Sequence, residues 1–140
     1  IRQCRAAGAA VLFALSYEGS SVCLPLDTDD VQVLRMFNQH QTTDKGFGKA
    51  LGPEAAARAA SLLKAAGYDV RTEASAWKLG PDARDLQRAL VRGWAEAALE
   101  FVPERRSEIE GWQLRRIEHI EAGRAQTLVG HCDVAGIFRA

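Results

Sequence analysis

The pattern of apolar positions first predicts a strand close to the start of the chain. Residues 9–17 (AAVLFALSY) are almost all apolar, and Gly8 and Gly19 stand on either side of them. Such a run is too short for a typical helix and is typical of a strand that helices cover on both faces of a parallel sheet. We therefore expect a doubly buried strand here, with a short extension over 21–24 after a turn at Glu18-Gly19.

Helical spacing then predicts two helices with a loop between them. The first begins at Asp27 or Thr28, both suitable N-caps, and ends at His40. The second begins at Pro53, and three glycines with little periodicity predict a loop over 41–53. The residues expected to face the core are Val31, Leu34 and Phe37 in the first helix and Ala55, Ala59, Leu62, Leu63 and Ala66 in the second.

The second half of the chain alternates between strand and helix in the same way. Residues 68–72 predict a strand that reaches toward Trp77, and a Gly-Pro pair then breaks the chain. Two long amphipathic helices follow within 81–123, and 127–138 predicts a final strand. Core packing is expected for the two tryptophans in the apolar stripes of these helices, Trp94 and Trp112.

Composition narrows the possible partners and the compartment. The chain has 140 residues, which fits one domain, and its formal net charge is zero, so nucleic acid is not an expected partner. No apolar run approaches the length that spans a bilayer, so we expect no membrane contact. Three widely spaced cysteines predict neither a disulfide framework nor a zinc site, and they favour a cytoplasmic location.

The start of the chain reads as the end of a helix. Residues 1–8 carry no initiator Met and no signal-peptide pattern, and Gly8 is a suitable C-cap. We therefore expect the sequence to be part of a longer protein, with a trimmed tag or mature terminus as the alternative.

Three motifs then suggest a family. They are FNQHQTTDKGFGKALGP after the first strand, SAWKLGP at the end of the second, and VGHCDVAG in the last. Their order and spacing resemble the C-terminal half of class I S-adenosylmethionine-dependent methyltransferases. The resemblance implies an α/β fold, a Rossmann-like sheet in which strands 5, 7 and 6 lie in the order 5-7-6 with the last strand antiparallel. It also implies flanking helices, and a helix pair inserted at 81–123 that is a candidate lid.

The same resemblance implies the activity and the cofactor. The parent protein would transfer a methyl group from S-adenosyl-L-methionine to an acceptor, expected to be a small molecule. The family's glycine-rich turn and its acidic ribose-binding residue belong to the N-terminal half, and no G-x-G-x-x-G occurs here. The cofactor-binding residues are therefore unknown in this chain, and we expect the 140 residues alone to be inactive.

The first strand also carries the partner prediction. In the family's sheet it would lose its neighbour and become an apolar edge, and such edges pair readily with other chains. We expect a dimer or other homo-oligomer, or binding of the N-terminal half through 9–17. The rival interpretation is a small α/β interaction module that recruits a partner through the same edge. A third is a degenerate methyltransferase without activity.

The candidate site residues cluster around the first helix end and the loop after it. We expect His40 and Asp44 to be catalytic, because a histidine near its ordinary pKa can take a proton from a nucleophile. Lys45 would orient an anionic group of the substrate and Phe47 would pack against its apolar part. The alternative for His40 is a local cap or hydrogen bond. The complete substrate-binding set is Tyr17, Glu18, Asn38, Gln41, Lys45, Phe47 and Trp77.

Tyr17, Glu18 and Trp77 are included because they fall at the predicted carboxyl ends of strands, where ligands bind in open α/β sheets. A turn role for Glu18 and a core position for Trp77 are the alternatives.

Two other chemistries receive little support. His131 and Asp133 share a strand face, but no further ligands are evident, so no metal site is expected. No G-x-S-x-G occurs, which argues against a hydrolase of that type.

Overall fold

A computed structural model describes residues 1–138 and shows a mixed α/β fold. Within these residues lie five α-helices and one four-stranded antiparallel sheet. Short 3₁₀ turns precede three of the helices, at Gly52–Glu54, Pro81–Ala83 and Pro103–Arg105. The elements are α1 (Arg2–Ala6), β1 (Val11–Leu24), α2 (Asp30–His40), α3 (Ala55–Ala65), β2 (Tyr68–Ala74), β3 (Trp77–Leu79), α4 (Arg84–Phe101), α5 (Arg106–Glu121) and β4 (Gln126–Phe138).

The sheet has the strand order β1-β4-β2, and β3 also pairs with β4. The register of β2 joins Tyr68 to Phe138 and that of β3 joins Trp77 to Val129. Because their neighbour β4 is antiparallel to them, β1, β2 and β3 run in one direction and their carboxyl ends point the same way. The mixed α/β class and the order first, last, second strand agree with the prediction.

The chain divides into two compact units. The first contains Ile1–Ser20, Pro53–Ala76 and the described residues from Gly130 onward. The second contains Ser21–Gly52 and Trp77–Val129. Strands β1 and β4 therefore each contribute residues to both units.

The core of the first unit forms where α3 packs on β2 and β4. The buried side chains are Ala56, Ala60, Leu63, Tyr68 and Val134. Gly136 allows this approach, because a Cβ atom there would lie 3.1 Å from Tyr68 Cδ1 and 3.3 Å from Leu63 Cδ1. The small alanines and this glycine let the helix lie close to the sheet.

The core of the second unit forms among α2, α4 and α5. Helix α4 packs against both of the other helices, and the ring of Trp94 lies 6.3 Å from that of Phe37. The buried apolar residues of the three helices are Val33, Leu34, Met36, Val91, Trp94, Ala95, Ala98, Ile109, Trp112 and Ile120. The predicted core positions of Trp94 and Trp112 are confirmed.

Strand β1 is the main correction to the sequence prediction. Residues 9–17 do form a strand, but it is not buried on both faces. Leu12, Phe13 and Leu15 are 67%, 40% and 49% exposed. Because side chains alternate between the two faces of a strand, exposure at the consecutive positions 12 and 13 means that both faces are open.

The strand boundaries also differ in two places. Strand β1 continues through Glu18 and Gly19 without the expected turn, and the second strand is divided at Ser75-Ala76 into β2 and β3.

Hydrogen bonds to Asp133 of β4 link β1 to the residue that follows β2 in the first unit. The carboxylate of Asp133 accepts the N–H of Leu15 at 2.7 Å and the hydroxyl of Ser75 at 2.7 Å. Leu15 has a φ of +53°, an uncommon conformation for leucine.

The buried face of α2 is rotated from the predicted one. Val31 is 76% exposed, whereas Val33 and Met36 are buried. The reason is the first residue of the helix, Asp30, whose carboxylate is buried against α5 and directs the positions three and four residues later inward. Leu34, which follows that spacing, was predicted correctly. The predicted stripe of α3 is likewise displaced by one position, because Ala56 and Ala60 are buried in place of Ala55 and Ala59, and Leu62 is exposed.

Candidate functional site

The end of α2 brings three charged or titratable groups together. Nε2 of His40 lies 2.8 Å from Nζ of Lys45 and 3.0 Å from a carboxylate oxygen of Glu100 on α4. The side chain of His40 is 15% exposed, while that of Glu100 is 72% exposed. A nearly buried imidazole is thus held between a cation and an anion.

These two contacts require different protonation states of one nitrogen. An ammonium that donates to Nε2 needs its lone pair, whereas a carboxylate needs a proton on the same atom. In the cluster of His40, Lys45 and Glu100, the presence or absence of a proton on Nε2 therefore decides which of the two contacts is favourable. An imidazole in this setting can accept a proton from a neighbouring group and pass it toward a carboxylate.

Asp44 organises the loop that carries Lys45. Its Oδ1 accepts the N–H of Gly46 at 2.7 Å and that of Gly48 at 2.9 Å. Both glycines have positive φ angles, 98° and 90°, which side-chain-bearing residues rarely adopt. A β-bridge from Asp44 to Lys49 closes the loop. The geometry gives Asp44 a loop-forming role whether or not it also acts in catalysis.

The other residues predicted near this loop differ in exposure. Phe47 stands fully exposed at the loop tip, and Asn38 and Gln41 are half-buried at the end of α2. A shallow depression of about 590 Å³ lies beside the loop. Its lining residues are Gln39, Thr42, Thr43, Asp44, Lys49 and Phe101.

Tyr17 and Glu18 lie in the first unit, in the interior of β1 and not at its end. The ring of Tyr17 meets that of His131 edge-on, with centroids 6.2 Å apart. Glu18 accepts a hydrogen bond from the hydroxyl of Ser20 at 3.1 Å. Strand β1 ends seven positions beyond Tyr17, at Leu24, so the expected placement at a carboxyl end is wrong for both residues.

Trp77 begins β3 and is half-buried opposite Val129. The next residue, Lys78, belongs to a cavity of about 490 Å³ in the second unit. The cavity lies at the carboxyl ends of β1 and β3, beside the start of β4. Its lining residues are Val22 and Leu24 from β1, Lys78 and Leu79 from β3 with Gly80 after them, and Gln126, Thr127 and Leu128 from β4.

A buried amide holds the wall of this cavity in place. Gln87 of α4 is fully buried; its Nε2 donates to the Gly80 carbonyl at 2.7 Å, and its Oε1 accepts the Thr127 hydroxyl at 2.9 Å. These bonds link the turn after β3 to β4. Because buried polar groups with satisfied partners are rigid, the cavity is a preformed feature of the fold.

A second buried polar cluster lies between α2 and α5. The carboxylate of Asp30 accepts the indole N–H of Trp112 at 2.8 Å and a guanidinium N–H of Arg116 at 2.9 Å. Both side chains of this ion pair are at most 10% exposed. Burial, and secondarily the charge of Asp30, raises the pKa of the nearby Cys23 thiol to about 11. We interpret this cluster as structural, because the Asp30 carboxylate also accepts the N–H of Asp27 and so has three donors within the fold.

The turn before α2 carries a further ion pair. Arg115 donates to Asp27 at 2.6 Å and 3.0 Å and to Asp29 at 2.7 Å. The bond from Arg115 is the largest influence on Asp27 and lowers the pKa of its carboxyl to about 2. In the first unit, the backbone N–H of Leu15 and then the hydroxyl of Ser75 lower the pKa of Asp133.

The part of the chain that the structure describes contains no candidate metal site and no candidate membrane span. Across residues 1–138, no three His, Cys, Asp or Glu side chains converge in a way that would hold an ion. Nor does any helix in that range combine the length and apolarity needed to cross a bilayer.

Sequence reasoning missed several groups that the fold brings together. Glu100 is 60 positions from His40, and nothing in its helical pattern distinguishes it from a solvated glutamate. The cavity combines three strands that are distant along the chain. A buried Asp30–Arg116 pair gives no local signal, although an aspartate at a helix start is usually interpreted as a cap.

Comparison with known proteins leaves the function to be argued from this geometry. No protein-family model matches the chain, and no curated protein aligns with it significantly.

Proposed function

We propose that this chain forms the C-terminal half of a class I S-adenosylmethionine-dependent methyltransferase and supplies one wall of its methyl-acceptor site. The observation that carries the proposal is the strand order β1-β4-β2 with β4 antiparallel. In the proposal β1, β2 and β4 correspond to strands 5, 6 and 7 of that family.

The exposed faces of β1 support the same proposal. An apolar strand with both faces open has more apolar surface in water than a strand of a finished sheet. Leu12, Phe13 and Leu15 would be covered if further strands and helices of the same protein packed against them. The homo-oligomer predicted from the sequence would cover them as well.

The residues present do not form a complete cofactor site. The cavity at the strand ends has no carboxylate among its lining residues to accept the ribose hydroxyls. S-adenosylmethionine supplies an activated methyl group, and its binding residues would have to come from the other half. We therefore derive no step through the cofactor from this chain.

The role of this chain is then to bind and orient the acceptor. Methyl transfer depends mainly on positioning and on exclusion of water. In the proposal His40 takes the proton that the acceptor's nucleophilic atom releases, and Glu100 stabilises the resulting imidazolium. In the proposal Lys45 has to leave Nε2 for this step, because its ammonium donates to the lone pair that takes the proton. The three free thiols support a reducing cytoplasm as the location.

The coding sequence upstream of Ile1 tests the proposal directly. We expect the reading frame to continue upstream and to encode a strand followed by a glycine-rich turn. An initiator codon at or just before Ile1 would overturn the proposal.

A binding experiment gives a second test. Isothermal titration calorimetry should detect S-adenosylmethionine binding by the product of the whole reading frame and none by the 140 residues alone. Tight binding by the 140 residues would contradict the proposal that the cofactor-binding residues lie in the other half of the protein.

The open edge of β1 also favours a second candidate function, an interaction module that adds a partner's strand to its sheet. This candidate predicts a complete reading frame that starts near Ile1. It also predicts that a partner's strand, and not a second half of the same protein, forms hydrogen bonds with β1.

A further inference from the structure

The cavity at the carboxyl ends of β1 and β3 has the composition of a ligand site. Its volume, about 490 Å³, falls in the range of small-molecule sites. Most of its lining is apolar, and Val22, Leu24 and Leu128 are each more than a third exposed to solvent. A ligand with an apolar body would remove these three side chains from water.

One charged group adds specificity to this apolar site. Lys78 is the single charged residue among those that line the cavity, and it forms no ion pair with any residue in 1–138. No carboxylate of the described lining competes for its ammonium. A ligand that combines an apolar body with an anionic group would therefore find both an apolar wall and an unneutralised cation.

Two of the neighbouring polar groups are already engaged, and Gln126 adds one neutral amide side chain to the lining. The hydroxyl proton of Thr127 and the carbonyl of Gly80 are both engaged by Gln87. The amide is fully buried and cannot turn toward the cavity without breaking two hydrogen bonds. Lys78 is thus the one charged group among the described lining residues, beside the neutral amide of Gln126.

We propose that this cavity binds a small apolar carboxylate whose anionic end pairs with Lys78 and whose body packs on Val22, Leu24 and Leu128. The binding itself follows from the cavity alone. Only the further step, that this carboxylate is the methyl acceptor, rests on the proposed function.

Three eight-carbon probes test the proposal by nuclear magnetic resonance titration of the 140-residue chain. Octanoate, octanol and octylammonium share one apolar body and differ in charge. We expect octanoate to bind most tightly, with shift changes at residues 22–24, 78–80 and 126–128. Octanol should bind about tenfold more weakly because it lacks the charge pair, and octylammonium more weakly still.

Matched variants identify the contribution of Lys78. Lys78→Gln should reduce octanoate affinity about tenfold and leave octanol unchanged, whereas Lys78→Arg should retain octanoate binding. Lys64→Gln, on the exposed side of α3, is the control and should have no effect. Equal binding of octanoate and octanol, or unchanged binding in Lys78→Gln, would overturn the proposal.

The outcomes separate this inference from the proposed function. Octanoate binding together with an initiator codon near Ile1 would retain the ligand site and reject the methyltransferase. Absence of octanoate binding together with an upstream glycine-rich turn would reject the ligand site and retain the methyltransferase proposal.

Discussion

At the scale of single residues, the second unit depends on charged side chains that water does not reach. Asp30 and Arg116 are buried together, and Trp112 donates its indole N–H to the same carboxylate. A buried ion pair contributes little net stability, but removal of one partner leaves an isolated charge in a medium that solvates it poorly. The pair therefore specifies the packing of α2 against α5 and adds little to the free energy of unfolding.

Arg116→Met is expected to lower the free energy of unfolding by about 3–5 kcal/mol, because Asp30 would remain buried without its cation. The double variant Asp30→Asn, Arg116→Met should be more stable than Arg116→Met, since a neutral amide oxygen still accepts from Trp112. Urea unfolding followed by tryptophan fluorescence measures both. Arg106→Met, which breaks the exposed pair with Glu110, is the control and should change stability by less than about 0.5–1 kcal/mol.

The depressed pKa of Asp27 predicts a specific acid sensitivity. Its carboxyl titrates at about 2 in the folded protein and at 3.8 ordinarily, so its ionised form is stabilised by folding. The resulting stability is fully present above about pH 4 and is lost as the pH falls toward 2. Asp27→Asn should therefore be destabilised at neutral pH by about 1 kcal/mol, and the difference should vanish near pH 2.

The measurement is urea unfolding at a series of pH values between these limits. Glu96→Gln, an exposed carboxylate on α4, provides the comparison and should leave the pH dependence unchanged. A constant difference between natural chain and Asp27→Asn across the whole range would show that Asp27 does not act through its charge.

At the scale of elements, glycines decide where the helices and loops can approach one another. Gly52 has a φ of +53°, and a Cβ atom there would lie 2.9 Å from Thr42 Cγ2. Gly93 lies in α4, and nothing comes within 4 Å of the position of its missing Cβ. Glycine is thus required at position 52, by the backbone conformation and by the contact with Thr42, and it is not required at position 93.

Gly52→Ala is expected to destabilise the protein by about 1 kcal/mol or more, because alanine tolerates neither the positive φ nor the contact. Gly93→Ala should instead stabilise it by about 0.5–1 kcal/mol, since alanine is the better helix former. Thermal unfolding followed by circular dichroism compares the two. Stabilisation by Gly52→Ala would contradict the loop geometry described above.

The sequence predicted the elements better than it predicted the faces they bury. The strand near residue 11, the helix ending at His40 and the last strand all follow from local apolar patterns, which depend on neighbours along the chain. The buried faces of α2 and α4 depend on Asp30 and Gln87, two polar residues that an apolar pattern assigns to the surface. Site partners such as His40 and Glu100 meet only after α2 packs on α4.

At the scale of the whole molecule, the open strand β1 has the largest consequence for behaviour in solution. Its apolar side chains lie on a strand that pairs with β4 alone among the described strands. Unpaired strand edges with exposed apolar side chains associate with other chains. This holds for both candidate functions.

We expect the 140-residue chain to self-associate, and the variant Leu12→Lys, Phe13→Lys to be monomeric, because charged side chains on an edge oppose strand pairing. Sedimentation velocity at several concentrations measures the mass of each. Val31→Lys, at an exposed site on α2, controls for the added charge and should associate like the natural chain. A monomeric natural chain would contradict this prediction.

The left-handed conformation of Leu15 restricts which chains can join that edge. Its φ of +53° departs from extended geometry, so the backbone of β1 is not a regular strand at this position. A flat, repeating stack of strands needs regular pairing at every position. A segment that pairs with β1 must therefore accommodate the irregular backbone at Leu15, which opposes the growth of a regular fibre.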